Sequence, residues 1–307
     1  MGLHTSSFSD PVSDKVLLTL AYAHSSLLSP LSFDLIREIS SYFGFQSSLV
    51  PALCGNTLRL FDVKGKTMRE SMLNVRITVG AVYSFLDNEE ILVVGGHPEA
   101  ASAWLISAIT SKARVLEDMG TRRAWPGICA FRESGYVFGG GFPSVCSAEK
   151  WDWRAGKWTS LRGMTYPRFA FTPCRHGYVI YLVDFSQSHK KVEVFGVNSE
   201  AFSTLPMRLP GFYCVSSLCF IVDGGLVVLC EASPSESVRW RLGREGKTEI
   251  AKIRSQGIRP YSPCPLLRYK DAVYYSSFDD RQLISFDLRT ETFQKEIWSN
   301  ETISTIK

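Results

Sequence analysis

Eight cysteines, five histidines and a recurring arginine are the side chains of this 307-residue chain most able to do chemistry. Thiolates bind soft metals, and paired thiols oxidise to disulfides. No C-x-x-C occurs, and no Cys/His cluster has zinc spacing. Instead Cys129, Cys174, Cys219 and Cys264 follow one another at intervals of 45 residues. A small apolar side chain recurring at one interval fills the same packed position in successive copies of a unit. A ring of thiols that senses oxidation or holds a soft metal is the alternative. Reduced thiols imply a cytoplasmic protein. His4, His24, His97, His176 and His189 are scattered along the chain. A nucleophile elbow, a P-loop and H-E-x-x-H are all absent, so neither catalysis nor a cofactor is expected.

The arginines suggest recognition instead. Arg76, Arg123, Arg168 and Arg259 recur at similar offsets and would gather at one end of a repeated structure as a basic collar. Guanidinium groups there could clamp the carboxylates of a partner protein bidentately. With His97 they are the candidate partner-binding residues. The competing reading is that each arginine braces its own connection against a neighbouring unit. Net charge is +4 without a basic stripe, which argues against nucleic acid. No apolar run reaches the length of a membrane span.

A repeat must position these residues. A bulky apolar residue, usually followed by a polar one, is answered by a second apolar residue seven places later. Phe61 pairs in this way with Met68, Trp151 with Trp158, Phe195 with Phe202 and Phe286 with Phe293. Weaker copies join Ile106 to Ala113 and Trp240 to Lys247. The first members are spaced 45, 45, 44, 45 and 46 residues apart, the mark of stacked supersecondary units. About ten residues before each anchor an apolar, β-branched run ends, as in Ile91 to Gly96 and Tyr136 to Gly140. Another such run precedes it, with Asp, Asn or Gly between. Each unit therefore reads as four antiparallel strands, and four-stranded units at this period make a β-propeller. Six anchors predict six blades.

A double glycine, an aromatic–Asp anchor about ten residues on, and an aromatic seven further resemble the kelch repeat. The resemblance covers residues 48–307. It is strong in the units ending near residues 117 and 161 and degenerate between residues 206 and 297. It implies an all-β six-bladed propeller that serves as a non-catalytic protein-interaction module. Copper oxidases of the galactose-oxidase type share the kelch ring, but no recognisable Tyr/His ligand set is present here.

Three segments follow. Residues 1–13 are Ser-rich and expected to be flexible. Over 14–46, Val16, Leu17, Leu20, Leu31, Leu35, Ile36, Ile39 and Phe43 keep helical spacing, with Ser32 as N-cap and Gly44 as terminator. Residues 31–43 resemble the opening helix of an F-box. That likeness implies, as an alternative function, an SCF-type ubiquitin-ligase substrate receptor docking a Skp1-like adaptor; two helices capping the propeller are the simpler reading. Residues 47–307 form the propeller. Its first unit has only one plausible strand, Ser48 to Leu53, ahead of Phe61. The alternating segment Glu301 to Ile306 is expected to close the ring by pairing with that part-blade.

Overall fold

The computed structural model describes residues 49–86, 90–132, 134–141, 143, 145–183, 191–208, 217–222, 224–233, 235–243, 248–255, 258, 266–276, 282–296 and 299–300. The helical segment expected over 14–46, and the segment Glu301 to Ile306, lie outside these residues. Among the described residues every regular element is a strand.

The chain opens on a hairpin of β1 (Leu49–Asp62) and β2 (Thr67–Ile77). Five blades follow in sequence. The first is β3 (Ala81–Phe85), β4 (Glu90–Gly95), β5 (Ala103–Ser107) and β6 (Ala113–Val115). The second is β7 (Gly127–Phe131), β8 (Ser134–Phe138), β9 (Ala148–Asp152) and β10 (Lys157–Leu161). The third is β11 (Cys174–His176), β12 (Val179–Leu182), β13 (Lys191–Gly196) and β14 (Ala201–Arg208). The fourth is β15 (Ser217–Val222), β16 (Gly225–Ser233), β17 (Glu236–Leu242) and β18 (Thr248–Arg254). The fifth is β19 (Leu267–Tyr269), β20 (Ala272–Ser276), β21 (Leu283–Asp287) and β22 (Thr292–Lys295), and β23 (Ser299–Asn300) ends the described chain. Each blade is a four-stranded antiparallel meander in chain order. The first strands form the hub, with β3 against β7 and β11 against β15. The architecture is an all-β propeller.

The structure has five four-stranded blades, not six. The Phe61 unit is instead a three-stranded sheet of order β1-β2-β23, in which β23 runs parallel to β2 and pairs Ser299 with Thr67 and Asn300 with Met68. The physical reason lies in β1, which runs on as one 14-residue strand where a blade would turn back into two. This sheet still packs on both neighbours. Leu58, Leu60, Leu73 and Ile77 share a core with Tyr83, Ile91 and Val93 of the first blade. Val50, Ala52, Phe61 and Val63 share another with Leu267 and Leu283 of the fifth. The Tyr83 hydroxyl accepts a hydrogen bond from Leu53 N at 3.2 Å and lies 3.2 Å from Ser276 Oγ, linking first blade, terminal sheet and fifth blade.

The seven-residue phrase is a cross-strand pair. Phe61 faces Met68, Ile106 faces Ala113, Trp151 faces Trp158, Phe195 faces Phe202 and Phe286 faces Phe293. Aromatic pairs directly opposite each other contribute packing beyond area alone. The ring centroids lie 5.4 Å apart for Trp151–Trp158 and 4.8 Å for Phe286–Phe293. The spacing persists because the hairpin between the partners is fixed. Its left-handed residue stands five places after the anchor as Lys66, Ser111, Gly156, Glu200 and Glu291. The polar residue after the anchor holds that turn: Asp152 accepts from Ala155 N at 2.9 Å, and Asp287 from Arg289 N and Thr290 N at 2.9 and 2.7 Å. The fourth blade breaks the rule. Trp240 faces Ile250, not Lys247, because its hairpin is longer.

Candidate interaction surface

Antiparallel meanders put two kinds of connection at each end of the propeller. Links between blades and links from second to third strand share one end. Inner and outer hairpins share the other. The first of these ends carries most of the residues singled out by sequence.

Its backbone is built by repetition. Trp125 N donates to Gly80 O at 2.7 Å, and Ala170 N donates to Trp125 O at 2.8 Å. These three residues, at 45-residue intervals, all have positive φ: 81° at Gly80, 49° at Trp125 and 51° at Ala170. One further ladder joins the glycine pairs to the following blade. Gly96 N donates to Arg123 O at 3.0 Å and Gly140 N to Arg168 O at 2.8 Å. A Cβ on Gly95 would stand 2.6 Å from Arg123 O, and one on Gly139 would collide with Arg168 O. The double glycine is thus a close-approach site for the arginine-bearing connection of the next blade.

The arginine side chains then turn inward. Arg123 has no exposed surface; it donates to Gly139 O, to Ser147 O at 3.0 Å, to Ser147 Oγ at 2.9 Å and to Glu149 Oε1 at 2.8 Å. Arg168, equally buried, donates to Lys191 O at 2.9 Å and to Glu193 Oε2 at 3.2 Å. The carboxylates accept backbone bonds too. Glu149 accepts from Gly120 N and Thr121 N, and Glu193 from Thr165 N and Tyr166 N. Burial pulls the Arg123 guanidinium downward in pKa, and the Glu149 carboxylate pulls it back up. Each arginine therefore ties its carbonyl to one blade and its side chain to the next.

This placement corrects the basic collar. A side chain with no accessible surface has none to offer a partner, so Arg123 and Arg168 are braces. Arg76 is exposed, but it stands within β2. The residue 45 before Arg123 is Thr78, whose hydroxyl abuts Gly96 where a Cβ would be. Arg259 lies outside the described residues. His97 is exposed and rests on Trp125, with ring centroids 5.1 Å apart.

Sequence reasoning missed the acidic partners. Glu149 and Glu193 each stand two residues before an anchor aromatic, Trp151 or Phe195, and 44 residues apart. A carboxylate recurring in phase with the arginines was the available signal. It was hidden because a glutamate is read as solvent-facing from its residue type, although alternation places it on the same face as the buried anchor.

The surface of this end offers a group of apolar and aromatic residues beside the exposed Arg76 and Arg122. Val79 is 60% exposed, His97 and Pro98 are exposed, and Trp125, Phe169 and Ala170 are half-buried. All are carried on the hydrogen-bonded connections just described. Loops Gly141–Ser147 and Ala232–Glu236 border the same end where described; Phe185–Lys190 and Phe278–Arg281 lie outside the described residues.

Cys129, Cys174 and Cys219 occupy matching places on the hub strands β7, β11 and β15, and all three are buried. Burial pushes the Cys129 thiol up to about 12 and raises Cys219, which also hydrogen-bonds Cys174. Thiols so held are packing groups rather than nucleophiles. Cys264 lies outside the described residues. Among the described residues no three His, Cys, Asp or Glu side chains converge as a metal site, and no helix is long and apolar enough to cross a membrane.

Comparison with known proteins finds no matching family model and no matching curated protein.

Proposed function

We propose that this propeller is of the kelch type and acts as a non-catalytic protein-interaction module. Its partner protein is gripped at the end of the propeller bearing Val79, His97, Pro98, Trp125 and Phe169, with the exposed Arg76 beside them. The observation that carries this reading is the exposed Val79 and the His97–Trp125 stack, held on connections whose backbone is pinned by repeated hydrogen bonds. Exposed apolar and aromatic groups on a rigid frame favour partner binding, because little ordering entropy remains to be lost on association. The kelch assignment is supported by the two glycine pairs, the arginine that each approaches, and the anchor aromatics paired across the outer hairpin.

The test is affinity purification with mass spectrometry on wild type and on Val79→Asp combined with Trp125→Ala. The proposal expects a protein captured by wild type to be lost from the variant while the thermal melt is retained. An unchanged set of captured proteins would contradict it.

A further inference from the structure

The outermost strand of a blade has a neighbour on one side only, so its far edge presents backbone N–H and C=O groups to whatever can pair with them. Four of the five outer strands are short, capped or interrupted. β6 and β22 have three and four residues, and β10 has five. On β6 the Asn74 side-chain amide takes up the Ala113 backbone, accepting from its N at 2.8 Å and donating to its O at 3.1 Å. β14 contains Pro206, which has no N–H to give. β18 differs. Its seven residues include neither proline nor glycine, three of them are β-branched, and Ile250 is 59% exposed.

The register shows which backbone groups face outward. Ile250 stands opposite Trp240, and Lys252 opposite Val238. Ser255 N donates to Ser235 O at 3.0 Å, which continues the same register. Hydrogen-bonded pairs alternate along an antiparallel ladder, so Glu249, Ala251 and Ile253 turn their N–H and C=O groups towards β17. Ile250, Lys252 and Arg254 turn theirs outward, and among the described residues no strand lies on that edge. The side chains of these three residues share one face of the sheet, and all are exposed. Glu236 is the carboxylate beside them, and it is engaged by Lys252 at 3.0 Å. Arg254, opposite Glu236 in the register, has no side-chain partner among the described residues. Glu249 stands on the other face, opposite Arg241. Two cations and an apolar side chain thus border the open edge against one carboxylate.

We propose that the outer edge of β18 receives an extended acidic segment of a partner protein as an added antiparallel strand. Backbone bonds to Ile250, Lys252 and Arg254 hold it, and carboxylates on alternate residues meet Lys252 and Arg254. An acidic partner fits better than a second copy of this chain. Residues directly opposite in an antiparallel pair share a face, so edge-to-edge pairing of two copies would set Lys252 and Arg254 of both on one face, where like charges repel. The site is separate from the surface bearing Val79 and Trp125 and does not depend on it.

The experiment is fluorescence anisotropy of the full chain with a labelled hexapeptide alternating valine and glutamate, which puts its carboxylates on one face of a strand. Two further peptides separate the terms: one N-methylated at its glutamates, which removes the N–H groups that would face β18, and one with lysine for glutamate. Wild type is expected to bind the first and to bind each of the others about tenfold or more weakly. Ile250→Pro deletes an N–H that faces outward, so it spares the ladder to β17 and should weaken binding by about tenfold with the thermal melt retained. Arg254→Gln should weaken it by about tenfold through the lost charge-assisted bond, and Lys112→Gln, on a first-blade hairpin, should leave it unchanged. Hydrogen exchange on wild type should show the amides of Ile250, Lys252 and Arg254 gaining protection when the peptide is added. No binding by wild type, equal binding of the N-methylated or lysine peptide, or a wild-type dimer in light scattering that Ile250→Pro dissociates would overturn the proposal.

Discussion

The second and third blades each add a fully buried ion pair to their apolar packing on the blade before, whereas the fourth and fifth, among the described residues, meet through apolar surface and the part-exposed Arg239–Glu291 pair. Arg123–Glu149 and Arg168–Glu193 occupy the first two junctions with almost no exposed surface. In the fourth blade the place two residues before the anchor is Val238, and in the fifth it is Ile284, both buried. The third and fourth blades meet through Val183, Cys174, Cys219, Val228, Cys230 and Trp240. The fourth and fifth meet through Phe220, Ile253, Tyr275, Phe286 and Phe293. One blade geometry is therefore packed on apolar surface at these four junctions, with a buried polar tie added at two of them. The polar tie needs a carbonyl brought close to a glycine pair and a carboxylate in phase, so it leaves a strong sequence signature. The apolar packing needs only volume, so its signature decays.

The difference can be broken most forcefully from the apolar side. Trp240→Ala should cost about 3–5 kcal/mol, as expected for deleting a large fully buried ring. Hydrogen exchange should then rise first in β15 to β18, with the second and third blades opening at higher free energy. Uniform loss of protection across all blades would mean that the two halves do not differ locally.

A smaller effect is expected at the glycine that admits Arg168. Gly139→Ala adds a Cβ against Arg168 O at a position with φ 61°, and should cost about 1–3 kcal/mol. Adding a methyl at Gly156, which has nothing within 4 Å, tests backbone conformation without the collision. Denaturant midpoints of the two variants separate the terms; equal losses would remove close approach as the reason for the double glycine.

The smallest effect concerns the anchor turn. Backbone hydrogen bonds from Thr290 and Arg289 hold the Asp287 carboxyl below the usual carboxylate range. A depressed folded pKa adds stability above the unfolded value, roughly 3.9, and that stability is lost as pH falls through the folded value. The melting temperature of wild type should exceed that of Asp287→Asn at pH 7, and the gap should shrink towards pH 3. A gap independent of pH would leave the aspartate with no charge-dependent role.

Much of the fold was legible because the repeated phrase is a local object. Phe195 and Phe202 sit opposite each other across a hairpin whose turn is closed within the phrase, so their spacing reads directly as register. The blade number was not legible for the same reason. Phe61 and Met68 make the same hairpin whether or not two further strands precede it, and nothing in the phrase reports that β1 runs straight through. Trp240 misled because three extra residues in its hairpin moved Ile250, not Lys247, into the facing position. At the apolar end His97 was visible as a loop residue, while Trp125 was hidden beside an arginine that attracted more attention. For Arg123 and Arg168 the residue type was informative and its direction was not. The same guanidinium serves a surface or a core, and the deciding partner lies 26 or 25 residues away.

The measurement closest to the centre of this account is a double-mutant cycle on Arg123 and Glu149, read by denaturant unfolding. Removing either charge alone, as Arg123→Met or Glu149→Leu, should cost about 3–5 kcal/mol, because the survivor is left buried without its counter-ion. The double variant should cost clearly less than the sum of the two, giving a coupling above about 1 kcal/mol. Additive losses, or single variants with unchanged stability, would contradict the assignment of these arginines as braces between blades.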